Sequence, residues 1–164
     1  TPRGAVRDLS FPNDPRVEQA GEILPVFQQA FEYALPPFPE EAIGVGARWE
    51  DLNEMKDQGV KATVTTTYTL KEWNGDAGVV VADVKRAAPK QQVNDPRMPP
   101  GTMIELEGKG TYTFQVKLDR ISSKVDGDLA TVVKIEARDP RAPMKPPQMM
   151  KQTIKMQQSL ETPK

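Results

Sequence analysis

Three short stretches of the sequence carry residue types that can do chemistry. Glu40 and Glu41 are adjacent carboxylates, the raw material of general acid/base catalysis. Ser122, Ser123 and Lys124 offer a hydroxyl nucleophile beside an amine base. Val125-Asp126-Gly127-Asp128 resembles the opening of a calcium loop. Each has a plainer reading. Carboxylates that follow a proline are ordinary solvated loop charge, serine-rich stretches suit hairpin turns, and the aspartates lack the further spaced acids and distal glutamate that calcium needs. No catalytic residue and no metal ligand is assigned, and nothing in the sequence calls for a cofactor.

The chain of 164 residues has no cysteine and no histidine. That removes disulfides, thiolate nucleophiles, Ser-His-Asp triads and imidazole ligands. A formal net charge of -1, with no basic cluster interleaved with aromatics, argues against nucleic acid as a partner. Charge is uneven along the chain: residues 1–58 hold 11 acids and 5 bases, whereas residues 140–164 hold 1 acid and 5 bases. No run of 18 apolar residues is present, so no helical membrane span is expected. The start at Thr1 points to a longer precursor whose leader or N-terminal region has been removed.

The elements that would position any site read as a single domain over residues 1–164. Residues 1–12 are a short strand or linker. Residues 13–37 are helical: Asn13 or Asp14 caps, Pro15 suits the first turn, and Val17, Leu24, Phe27 and Phe31 form an apolar stripe, with Pro25 kinking or dividing it. Residues 44–161 are an antiparallel β meander. Val60, Ala62, Val64, Tyr68 and Leu70 alternate with threonines and lysines, Asn74-Gly75-Asp76 supplies a tight turn, and the strand returns over residues 77–88. Tyr112, Phe114, Val116 and Leu118 define a further strand, a turn is expected around residues 122–128, and Leu129 to Ala137 and Met150 to Leu160 complete the set. The expected architecture is mainly β within the α+β class: a curved antiparallel sheet or half-barrel of about six strands, with the N-terminal helix packed on its apolar side. Gly44, Gly46, Gly108 and Gly110 are candidate bending points.

Phe38 to Leu52 is the densest block of special residues, with Pro39-Glu40-Glu41, Gly44-Val45-Gly46 and Trp49. This Pro-Glu-Glu-x-x-Gly-Val-Gly-x-x-Trp pattern, with the later Gly-x-Gly strand at Gly108, resembles a family of uncharacterised bacterial exported proteins, often lipoproteins. The resemblance spans about residues 35–160 and places this chain as the C-terminal portion of such a protein. It implies export to the periplasm or outer membrane and carries no activity.

Read from the residues, the block is a structural corner in which Trp49 plugs the core; the functional version makes Trp49, Tyr68, Tyr112 and Phe114 the wall of an apolar ligand pocket. Asp-Pro-Arg recurs three times and places Arg16, Arg97 and Arg141 at element entries, where turn chemistry explains the aspartate and proline and a shared anion-binding surface would explain the arginines. Met150, Lys151 and Lys155 mark a final strand suited to docking on another protein. The expectation is a non-enzymatic cell-envelope interaction or scaffold module whose partner is another envelope protein or the missing N-terminal half. The alternative is a carrier of lipid or another apolar ligand in the half-barrel.

Overall fold

The computed structural model describes residues 36–57, 59–93, 96, 98–117, 120–137 and 145–161. Among them are six strands: β1 (Arg48–Asp57), β2 (Val60–Trp73), β3 (Ala77–Gln92), β4 (Met103–Lys117), β5 (Arg120–Ala137) and β6 (Gln148–Glu161). They form one antiparallel sheet in the order β1-β2-β3-β4-β5-β6. β1 and β6 are its two edges and do not pair, so the sheet is not closed into a barrel. The expected helix over residues 13–37 falls almost wholly outside the described residues, as does the strand or linker over residues 1–12.

Alternation of side chains across the pleat sorts the residues onto two faces. One face carries Val64, Tyr68 and Leu70 of β2, Val80, Ala82 and Val84 of β3, Tyr112, Phe114 and Val116 of β4, and Val125 of β5, all buried in one cluster. The other face carries the threonines of β2 at 63, 65, 67 and 69 and the charged residues of the neighbouring strands. There, Lys134 pairs with Glu105 at 3.1 Å and Lys90 with Glu136, exposed contacts of small energetic worth.

The β2–β3 connection follows from its residues. Asn74 N–H donates to Ala77 O at 2.9 Å and Asn74 Oδ1 accepts from Ala77 N–H at 3.0 Å, while Gly75 takes a φ of 96° that other residues avoid. The ladder shifts between Leu70 and Glu72, and this extra residue sets Trp73 opposite Gly78, where an added Cβ would overlap the indole. A second shift, between Ala88 and Gln91, falls at Pro89, which cannot donate to a ladder and sits where pairing is already interrupted.

The stretch at residues 122–128 is not a turn. β5 runs through it without a break, and β4 and β5 meet at the pair Lys117–Arg120. Serine and glycine have turn preferences, but Val125 lies opposite Phe114 and is buried, and Gly127 lies opposite Tyr112. Cross-strand packing overrides local propensity here. Gly108 and Gly110 also serve a purpose other than bending. A Cβ on Gly110 would meet the main chain of Asp128 and Leu129, and one on Gly108 would stand 2.9 Å from Thr131 Oγ1, so both glycines let β5 approach closely.

β6 is tied to β5 at its far end. Ser159 Oγ donates to Asp126 Oδ1 at 2.7 Å, and Lys124 Nζ lies 2.9 Å from Asp126 Oδ2. The Ser159 bond first, and then Lys124, hold the Asp126 carboxyl below the usual aspartate range. A lowered folded-state pKa means that this contribution is present above the unfolded value and is lost as pH falls through the folded value. Ser159→Ala is expected to move the Asp126 midpoint upward in a carboxyl NMR titration; an unchanged midpoint would assign the depression to Lys124 instead.

Candidate functional site

The block from Pro36 to Trp49 is a corner laid onto the end of β2. Ala47 N–H donates to Gly44 O at 2.9 Å, closing a turn whose Gly46 has a φ of 90°. Gly46 N–H then donates to Leu70 O at 2.8 Å and Leu70 N–H to Ala47 O at 3.0 Å, which register the incoming chain against β2 before β1 begins. Trp49, two residues on, faces inward and its Nε1–H donates to Pro37 O at 2.7 Å. The tryptophan thereby ties the segment before the turn to the strand after it.

An aromatic row extends from this tie. Phe38 tilts against Trp49 with 5.9 Å between ring centroids, Trp49 stacks on Tyr68 at 5.5 Å and 15°, and Tyr68 tilts against Phe114 at 6.4 Å. Trp49 lies opposite Tyr68, Tyr68 opposite Ala82, and Ala82 opposite Tyr112 in the ladder. The four residues expected to line a ligand pocket are therefore brought together on one face. Tyr68, Tyr112 and Phe114 are buried, with Trp49, Phe38 and Ile43 packed against them. These rings make the packing of a core, and such geometries add to the stabilisation from area burial alone. Trp49→Phe keeps the stack but removes the donor to Pro37 O. It is expected to cost about 1 kcal/mol in urea unfolding; no change would show that the Pro37 tie is dispensable.

The candidate partner-binding residues divide. Arg16, Arg97 and Arg141 lie outside the described residues. Met150, Lys151 and Lys155 are all exposed on β6, the edge strand. Met150 pairs in register with Ile135, on the apolar face, and is 58% exposed; Lys151 and Lys155 lie opposite Lys134 and Ala130, on the polar face. Ile154 and Met156 continue the apolar row along the same edge, 48% and 46% exposed. Met150 and Met156 thus lie on the opposite face of the strand from Lys151 and Lys155.

Among the described residues no group of three or more acidic side chains is placed to hold a metal ion. Glu40 and Glu41 are exposed on the corner. A hollow of about 490 Å³ lies on the polar face between Arg48, Asp83, Lys85, Lys109 and Asp128, away from the aromatic row. A cation outside the sequence-based set stands on the apolar face, which also carries Asp51 on β1. This is Arg86, and its signal in the sequence is its place in the alternating series Val80, Ala82, Val84, Arg86, Ala88.

A family model described as a family of unknown function, DUF6263, matches residues 25–125. No curated protein and no solved structure matches the chain.

Proposed function

The chain belongs to this family of unknown function, and from that premise we propose that it is a non-enzymatic interaction module of the bacterial cell envelope, docking a partner along β6. The observation that carries the reading is the character of that edge. β6 is 14 residues long, pairs with β5 without a register shift, and exposes Met149, Met150, Ile154 and Met156. An unbulged edge strand offers main-chain donors and acceptors for strand addition, and its side chains supply the selectivity. Lys151 and Lys155 on the polar side favour a partner strand with acids on the matching face and apolar residues on the other.

Within this reading, the helical segment expected over residues 13–37 covers the apolar face, giving the sheet the character of a half-barrel. The partner is a second envelope protein or the N-terminal half of a longer precursor. Export is supported by the resemblance of the Pro39 to Trp49 block to exported proteins, often lipoproteins, and a cysteine-free chain suits an exported protein without disulfides.

The test is native mass spectrometry of the protein purified from its own envelope under mild conditions, alongside the variant Ile154→Lys/Met156→Lys. Both positions are exposed, so folding is expected to change by less than about 1 kcal/mol. The wild type is expected to carry a stoichiometric protein that the variant loses. A partner retained equally by the variant, or recovery of the protein from the cytoplasm, would overturn the proposal. Lipid-sized adducts without a protein partner would favour the carrier reading.

A further inference from the structure

Arg86 is half-buried on the face that carries the apolar cluster, a face to which β1 also contributes Asp51 and Asn53. Its register partners are Val64 on β2 and Gly108 on β4, and Val84 and Ala88, two positions away along β3, are both buried. The side chain reaches β1, where Nη2 approaches Met55 Sδ at 3.8 Å. Nε is buried and has no hydrogen-bond partner. Among the described residues no carboxylate lies within ion-pair distance of the guanidinium. A buried donor on a charged group is costly to leave unpaired, and folding alone gives no reason to keep an arginine where methionine or leucine would fill the same space.

Nε and Nη2 form one edge of the planar guanidinium, and that edge matches the two oxygens of a carboxylate. Here it is met only by a thioether, which is a weak acceptor on a flexible, unbranched side chain that can swing aside. The geometry points to an anion-binding site at Arg86 that takes the carboxylate of an aliphatic monoanion, such as a fatty acid, with Met55, Ala62, Val64 and Ala88 as its apolar walls. Charge selects the monoanion. On this face the other charged residue in regular register, among the described side chains, is Asp51, whose carboxylate already accepts from Asn53 Nδ2 at 2.5 Å. One guanidinium balances one negative charge; a dianionic phosphate monoester would be left with a charge in excess. This site is independent of docking along β6.

The experiment is isothermal titration calorimetry of the full chain with sodium dodecanoate below its micellar concentration, compared with dodecanol and dodecyl phosphate. Saturable binding of dodecanoate is expected, at least about tenfold tighter than dodecanol, with the same loss in Arg86→Met. Arg86→Lys keeps a charge without the bidentate edge and is expected to fall between. The unfolding midpoint of Arg86→Met is expected to hold or rise, since the unpaired donor is gone. Equal binding of dodecanol, dodecanoate binding unchanged in Arg86→Met, or no binding by the wild type would overturn the site. So would tighter binding of dodecyl phosphate than of dodecanoate. If Arg86→Met fails to fold, the wild-type comparison of dodecanoate with dodecanol still decides.

Discussion

Phe114→Ala is expected to lower the free energy of unfolding by about 3–5 kcal/mol, the range for emptying an aromatic site in a packed core. Phe114 is 3% exposed, touches Tyr68, and lies opposite Val80 on one side and Val125 on the other, both nearly inaccessible. None of these neighbours can collapse into the space without moving a paired strand. For a domain of this size that is a large part of the total stability. Urea unfolding by far-ultraviolet circular dichroism provides the check, and a loss below about 1 kcal/mol would mean that this face is not the principal core.

Gly127→Ala is expected to cost about 1–3 kcal/mol, although it adds a single methyl group. The ring of Tyr112 lies flat over Gly127, and a Cβ built there would fall inside it. Tyr112 cannot rotate freely away, because it is buried between the chains of β3 and β5. The proof of mechanism is a double-mutant cycle: in a Tyr112→Leu background the penalty of Gly127→Ala should shrink towards zero. An undiminished penalty would locate the strain in the β5 main chain instead.

These two positions also mark where sequence reasoning succeeds and where it stops. Phe114 is legible because Tyr112, Phe114 and Val116 alternate with polar residues, and a period of two over several strands implies one buried face. The Asn74-Gly75 turn is legible because few residue pairs accept its backbone angles. Gly127 is not legible. Its neighbours Ser122, Ser123 and Asp126 look like a turn, and only the ring supplied by β4 reveals why a strand keeps a glycine there. β1 is obscured for a related reason: Asp51 and Asn53 occupy its inward positions, so as an edge strand it lacks the alternation that marks β2 and β4.

The candidate site is legible to the same degree. Alternation puts Tyr68, Tyr112 and Phe114 on apolar faces, and Trp49 joins them through the β1–β2 register, but whether such a group encloses a ligand or packs upon itself depends on ring separations that no spacing rule contains. The exposed row Met150, Ile154 and Met156 has the pattern of a core strand, but among the described strands β6 has no neighbour on its outer side. Arg86 is visible in retrospect as a cation at an apolar position, a local conflict of the kind that functional sites tolerate.

The strand order has one further consequence, for how the chain reaches its native state. Among the described residues every strand pairs with its immediate neighbour in sequence, so none of these pairings waits for a distant segment to arrive, and each costs only the closure entropy of the link between its two strands. Such a sheet can assemble as successive zippers, with β2–β3 primed by its tight turn, and it avoids the long-range crossovers that slow Greek-key sandwiches. Release of an outer strand likewise needs no unthreading, so fraying at either margin can proceed while the middle of the sheet stays intact.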